Sequence, residues 1–319
     1  MESTGETMGV SEVNNKGVTW INIEKPSQKE ISSLGERFHF HKLNLEDCLS
    51  KIQLTKIDKY EDYLFIILHF PIPSDNARGV TSSQVSIFLG KDYLVTIHEA
   101  NLQPLVEIFE NCRNDQVQRE AIMAKSSSYI LYRIIDALVD SLFPFLDKLM
   151  NKLETIEDEV FDERTGSACK LALIRREISV LRRIVAPHRR LVIDLANRVP
   201  PSASEDLPVY FDDIKDHIEK AWEMLESSNE TINIFKDTDL TLNTQRTNTV
   251  LSILTILFTL TIPATVIGTF YGMNINLPGG IETGTWTSLG PYTTLVFILA
   301  ISAIASASLS WYFHRLKWV

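Results

Sequence analysis

The chain has 319 residues, of which 45% are hydrophobic and 23% charged, a composition that excludes a collagen-like or intrinsically disordered protein. The net charge of −10 also argues against a nucleic acid partner, which would need a basic surface. The charge is unevenly distributed, because only Glu282, Arg315 and Lys317 are charged beyond Arg246. These features predict a charged, water-exposed part followed by a C-terminal part with almost no charge.

The N-terminal part of the sequence predicts an α/β domain over residues 17–125, after a polar and flexible segment over residues 1–16. Apolar runs rich in β-branched and aromatic residues indicate strands, and steps of three and four between apolar residues indicate helices. One strand is expected to stop at Pro71, because proline has no amide hydrogen for the sheet. The predicted strands cover residues 18–23, 63–70, 84–89 and 93–98, and the predicted helices cover residues 27–38 and 103–114.

The middle of the chain predicts a pair of long antiparallel helices over residues 126–200. The first is expected to run to residue 161 with a kink at Pro144, and the second to be interrupted by Pro187. A further helix is predicted over residues 208–271, because no proline occurs between its first turn and Pro263. At 1.5 Å per residue, such a helix would be about 90 Å long and would need neighbouring helices to be stable.

Two runs in the C-terminal part, residues 250–270 and 292–313, contain no charged residue. Each has the length of a helix that crosses a hydrocarbon core of about 30 Å. Arg246 precedes the first run and a basic tail, residues 314–319, follows the second. The positive-inside rule therefore predicts a multi-pass protein of the cell membrane with both termini in the cytoplasm and residues 272–291 outside.

A polar stripe follows one face of the predicted third helix into the first charge-free run. Two explanations stay open: the stripe lines an axial path in a ring of copies, or its threonines serve close helix packing. The stripe consists of Asp237, Thr241, Thr244, Asn248, Leu251, Thr255, Phe258, Ile262, Thr265 and Thr269.

The outer end of the same helix predicts a site for a hydrated cation. Gly272 is typical of a helix end, and the last carbonyls of a helix have no helical donor and carry about half a negative charge. Asn274 adds a neutral amide, and the following loop contains only one carboxylate, Glu282. Carbonyl and amide oxygens accept hydrogen bonds from water, and Mg²⁺ gives up its water reluctantly. If several copies of this helix end converged, they would favour Mg²⁺ with its bound water over a cation that has lost its water.

The run Tyr271-Gly272-Met273-Asn274, followed by a short loop, a second span and a basic aromatic end, resembles the CorA family of divalent-cation channels. The resemblance covers nearly the whole chain and implies a funnel-shaped homopentamer. Each protomer would contribute an α/β cytoplasmic domain, a long α-helical stalk and two C-terminal transmembrane helices. It also implies passive uptake of Mg²⁺ driven by the membrane potential, with Co²⁺ and Ni²⁺ sometimes accepted, and gating by cytoplasmic Mg²⁺.

The resemblance implies roles for particular residues. Mg²⁺ would be both the transported ion and a regulatory ligand, without an organic cofactor, and the partners would be further copies, divalent cations and the lipid bilayer. The acidic pair that usually faces Asp213 is missing near residues 99–103, which leaves Glu99 as its candidate partner. The implied sites are the filter Gly272, Met273 and Asn274, the pore-lining Asp237, Asn248 and Thr265, the hydrophobic gate Leu251, Leu254 and Ile262, and the regulatory Asp213 and Glu99.

Two other functions remain as alternatives. The related ZntB group transports Zn²⁺, and its filter usually departs from methionine at the middle position, so Met273 favours Mg²⁺. A non-conducting helical scaffold or sensor would instead show an apolar stripe on the first span. An enzyme is not expected, because the sequence contains no phosphate-binding, zinc-protease or nucleophile-elbow motif.

Overall fold

The computed structural model describes residues 9–50, 53–74, 79–161, 168–198, 207–273 and 293–315. It comprises two compact units, residues 1–237 and residues 238–319. The strands of the first unit are β1 Val10–Asn15, β2 Val18–Glu24, β3 Lys56–Lys59, β4 Tyr63–Pro73, β5 Val80–Gly90 and β6 Tyr93–His98. Its helices are α1 Gln28–Phe38, α2 Lys42–Leu49, α3 Gln103–Asn114, α4 Gln116–Met123, α5 Ser127–Asp140, α6 Phe143–Phe161, α7 Ala168–Arg198 and the first part of α8 Leu207–Gly272.

The strands form one mixed sheet in the order β1-β2-β6-β5-β4-β3, in which only the β2–β6 pair is parallel among the described strands. Successive side chains point to opposite faces of a strand. Leu64 and Ile66 of β4 therefore join the core on the side of α3 and α5–α8, whereas Phe65 and Ile67 face α1 and α2. Burial on both faces explains why β4 is almost continuously apolar. The predicted α/β architecture is confirmed.

The expectation of a flexible N-terminal segment over residues 1–16 is wrong for its second half. Val10–Asn15 forms strand β1 and pairs with β2, with Asn15 opposite Val18. The two residues between them, Lys16 and Gly17, have φ angles of 49° and 87°. Two consecutive positive φ angles form the tight turn that suits the twist of a β-hairpin. The sequence did not predict this strand, because its composition is polar and Val13, at 6% exposure, is its only buried residue.

Strand β4 does not stop at Pro71, contrary to the prediction. It continues to Pro73, and Pro71 and Pro73 lie opposite Ser82 and Val80 of β5. Strand β3 pairs with β4 only as far as Ile67. Beyond that residue one edge of β4 has no neighbouring strand among the described residues, and an edge tolerates the missing amide hydrogen of proline.

The predicted helix over residues 126–161 is divided by a turn. Helix α5 ends at Asp140 and α6 begins at Phe143, so Pro144 lies in a first helical turn, where its missing amide hydrogen is not needed. Pro187 lies inside α7 without ending it. Two ion pairs, Lys152–Glu177 and Glu159–Lys170, join α6 to α7. From the first pair to the second, the residue number increases along α6 and decreases along α7. Helices α6 and α7 therefore run antiparallel.

Gly79, at the start of β5, offers a test of this packing. Its φ is +80°, and a Cβ atom at this position would overlap the carboxylate of Glu177, which pairs with Lys152. Gly17 also has a positive φ of +87°, but nothing lies within 4 Å of its Cβ position. Gly79→Ala should therefore lower the free energy of unfolding by about 2 kcal/mol and Gly17→Ala by only about 1 kcal/mol. Denaturant titrations that gave both variants the same loss would contradict the contact with Glu177.

The second unit contains the C-terminal part of α8 and helix α9 Thr293–Arg315. Both helices are long and apolar enough to cross a membrane. The most apolar 18-residue stretch of α8 is 0% buried and that of α9 is 6% buried. Two apolar helices that bury so little of their surface need a hydrocarbon environment or further copies of the chain.

Candidate ion pathway and metal centre

The predicted filter lies where α8 ends. The helix ends at Gly272, and the amide of Met273 donates a hydrogen bond to the carbonyl of Phe270 at 3.3 Å. Other carbonyls of the last helical turn lack a helical donor among the residues that the structure describes. Met273 is 49% exposed, and Asn274 lies outside the described residues.

The threonines of the first apolar stretch share one hydrogen-bonding pattern. Each hydroxyl donates its proton to a carbonyl one turn earlier, as Thr265 does to Thr261 at 2.9 Å. A hydroxyl has one proton and two lone pairs, so the outward side of each oxygen can only accept hydrogen bonds. The threonines concerned are Thr255, Thr259, Thr261, Thr265 and Thr269. On the polar stripe, which contains Thr255, Thr265 and Thr269 of this set, such oxygens suit the water shell of a cation.

The predicted gate residues occur on the same apolar stretch, and their side chains are exposed in a single chain. Leu251, Leu254 and Ile262 are 54%, 46% and 55% exposed. Asn248 and Asp237, predicted to line the pore, are also exposed. The described helices of one chain do not enclose a lumen. These side chains could therefore line a pore only if further copies of the chain brought equivalent residues opposite them.

A cluster of potential metal ligands lies between α5 and α8 in the first unit. One ligand atom each of Asp136, Asp213 and His217 lies within 4.8 Å of the others. Asp140 is adjacent, since its Oδ1 lies 3.4 Å from His217 Nδ1. Carboxylate oxygens suit Mg²⁺, whereas the imidazole also suits Co²⁺, Ni²⁺ and Zn²⁺. The group can therefore hold a divalent cation.

Packing of apolar side chains places this cluster. Ile134 and Leu138 of α5 are fully buried in one core with Phe211 and Ile214 of α8. Asp136 and Asp140 are four residues apart, as are Asp213 and His217, and residues at this spacing share one face of a helix. Two ligand pairs on facing helices thus meet at the edge of the core.

The electrostatics of the cluster favour binding of a cation. Burial raises the pKa of Asp136 above its ordinary value, the neighbouring Asp140 and Asp213 raise it further, and Arg133 opposes them. Burial, and then the carboxylates of Asp136 and Asp213, also raise the pKa of the adjacent Tyr132 to about 12. Carboxylates that repel one another become stable together when a divalent cation lies between them.

The structure brings Asp213 to Asp136 and His217 and does not bring Glu99 into this cluster. Glu99 follows β6 and lines a cavity of about 590 Å³ with His98 and Arg183. Pairing of Asp213 with Glu99 of another copy stays a prediction, because it concerns two chains. Sequence reasoning missed Asp136, Asp140 and His217, although the spacing of four residues in each pair was available as a signal.

The variant Asp136→Asn should distinguish two effects of this carboxylate on the melting temperature: its repulsion of neighbouring carboxylates and its binding of a metal ion. Because the folded pKa of Asp136 is raised, ionising it costs stability, and that cost appears as the pH rises through the folded pKa. At neutral pH without metal, the variant should therefore melt about 2 °C higher than wild type. Added Mg²⁺ should raise its melting temperature less, since a ligand is lost. Asp147→Asn, at an exposed position of α6, is the control, and unchanged Mg²⁺ stabilisation in Asp136→Asn would exclude this ligand.

Comparisons with known proteins identify the family of this chain. A family model described as CorA-like Mg²⁺ transporter protein matches residues 15–315. The cobalt/magnesium transport protein CorA of Thermotoga maritima is 29% identical over 304 residues, 94% of this chain and 83% of the relative. The zinc transport protein ZntB of Pectobacterium atrosepticum is 24% identical over 244 residues, 76% of this chain and 70% of the relative.

The fold is also that of a solved transporter. The complete structure of the CorA magnesium transporter from Methanocaldococcus jannaschii matches with a TM-score of 0.79 at 17% identity, over 99% of this chain and 100% of that one. The match includes the α/β domain, the long helix and the two C-terminal apolar helices. The chain belongs to the CorA-like Mg²⁺ transporter family and is a transporter of divalent cations.

Proposed function

We propose that the protein is a Mg²⁺ channel through which Mg²⁺ enters the cytoplasm passively, driven by the membrane potential, with Co²⁺ and Ni²⁺ as further substrates. The observation that carries this proposal is the set of threonines on the polar stripe of the first span, Thr255, Thr265 and Thr269, whose hydroxyl protons are all donated to their own helix. A wall that only accepts hydrogen bonds stabilises the water around a cation and disfavours anions. Mg²⁺ is the physiological divalent cation that keeps its water most firmly.

The proposed channel is a homopentamer in a cell membrane with both chain termini in the cytoplasm. The exposed Leu251, Leu254 and Ile262 support a ring, because copies packed around an axis would bring each of them together as an apolar constriction. Asn248 and Thr265 would line wider polar sections, and Asp237 would concentrate cations at the cytoplasmic end. Gly272, Met273 and Asn274 would form the outer filter.

Regulation by cytoplasmic Mg²⁺ would act through Asp213. Bound Mg²⁺ would relieve the repulsion among Asp136, Asp140 and Asp213 and stabilise the closed state; Glu99 of a neighbouring copy is the further candidate ligand. When Mg²⁺ falls, the repulsion returns and favours movement of α8, on which both Asp213 and the gate residues lie. Binding that differs between two states is what shifts their equilibrium.

Flux measurements in liposomes test the proposed ion directly. Purified protein should admit Mg²⁺ into liposomes with an inside-negative potential, and the flux should fall when the potential is abolished. External Co²⁺ and Ni²⁺ should compete, and protons should not accumulate with the metal. Absence of flux for every divalent cation would leave a scaffold or sensor, and flux driven by a proton gradient would contradict passive entry.

A zinc transporter is the second candidate, favoured by His217 in the metal cluster, since imidazole binds Zn²⁺ better than Mg²⁺. The two proposals differ in the filter. A Mg²⁺ channel should prefer Mg²⁺ in direct competition at the outer side, whereas a zinc transporter should take up Zn²⁺ in the presence of a large excess of Mg²⁺.

A further inference from the structure

A proline interrupts the hydrogen bonding of the first apolar stretch. Pro263 lies inside α8 and has no amide hydrogen, so the carbonyl of Thr259, four residues earlier, lacks its helical donor. The ring of a proline also pushes against the preceding turn, so a bend of α8 is expected at Pro263. In hydrocarbon no water can satisfy the backbone, so neighbouring helices and hydroxyl side chains take this role.

A serine from the second apolar helix contacts the disturbed turn. Ser306 Oγ of α9 donates a hydrogen bond to the carbonyl of Leu260 at 2.9 Å. Ser302, one turn earlier on the same face of α9, is buried at 7% exposure. This serine face therefore packs toward α8. The threonines of α8 bond back to their own helix, whereas Ser306 bridges two helices.

The bend lies beside residues already assigned to the ion path. Ile262, proposed as a constriction, immediately precedes Pro263, and Thr265 follows two residues later. A change in the bend would rotate and displace both side chains. Because the Leu260 carbonyl precedes the bend by less than one turn, a partner that holds this carbonyl also holds the direction in which the helix continues.

We propose that Ser306 is a positioning residue that clamps the bend of the first span at Pro263 and so sets the position of the Ile262 constriction. The flux part of this inference rests on the proposed channel function, whereas the contact between Ser306 and the bent turn can be measured without transport. A hydrogen bond between membrane helices contributes modestly, and its loss should change an equilibrium about threefold in each protomer.

A double-mutant cycle with Pro263 tests the clamp. Ser306→Ala should lower the melting temperature of the detergent-solubilised assembly and change the Mg²⁺ flux in liposomes about threefold. Ser306→Thr keeps the hydroxyl and should restore both values. In Pro263→Ala the helix regains its amide donor and straightens, so adding Ser306→Ala to that variant should have little further effect. Ser308→Ala, at an exposed position of the same helix, is the matched control.

The outcomes separate this inference from the proposed function. Equal effects of Ser306→Ala with proline and with alanine at position 263 would overturn the clamp, as would failure of Ser306→Thr to restore the melting temperature. A wild-type protein without flux would refute the proposed channel. The melting temperatures of the four variants in the cycle would still decide whether Ser306 acts through the bend.

Discussion

Replacing Asn274 with alanine is expected to abolish Mg²⁺ uptake while the protein still inserts and assembles. In the proposed filter, Asn274 would add an amide to the backbone carbonyls of the α8 end and the thioether of Met273. In the proposed ring of five, loss of about 1 kcal/mol of ion stabilisation per amide would lower filter occupancy by between three and four orders of magnitude, or roughly 4000-fold. Alanine removes no apolar contact of a span, so assembly should persist.

The measurement compares Mg²⁺ flux in liposomes with the elution volume of the same preparation. Asn243→Ala is the matched control, because Asn243 is an exposed amide of α8 that bonds to Asp239 and lies outside the polar stripe. Its flux should match wild type. Normal uptake by Asn274→Ala would remove this residue from the filter, and a shifted elution volume would mean that assembly had failed instead.

The second large effect is expected from Asp213→Ala, which should leave the channel open at cytoplasmic Mg²⁺ concentrations that close wild type. Asp213 is the carboxylate that α8 brings to Asp136 and His217. Its loss removes a ligand of the proposed Mg²⁺ site, whereas Asp136 and Asp140 remain and still repel each other, so closure needs more Mg²⁺. A carboxylate that contacts a divalent cation commonly contributes enough that the Mg²⁺ concentration for half-closure should rise at least tenfold.

Currents recorded at stepped internal Mg²⁺ concentrations measure this shift. Asp216→Ala serves as the control, since Asp216 is an exposed acid three residues further along α8 and is not a member of the cluster. It should close at the wild-type concentration. If Asp213→Ala closed there too, the cluster would be a structural ion pair and not the regulatory site.

Several features followed from the sequence because they depend on local composition. Charge-free runs of sufficient length identified the two apolar helices, and the absence of proline before Pro263 indicated one continuous α8. Strands β5 and β6 were predicted over residues 84–89 and 93–98, and they pair within the sheet. Burial on one or both faces of an element leaves such periodic traces in the sequence.

Other features depended on tertiary contacts. Strand β1 is polar and is held by pairing with β2, and Pro71 stays in a strand because its edge is open. Asp136 and His217 are 81 positions apart in the sequence numbering and meet only because the apolar faces of α5 and α8 pack together. The bond from Ser306 to Leu260 likewise joins segments that no local pattern connects. Periodicity in one segment reports what that segment buries, whereas the distance between two side chains is decided by how their helices pack.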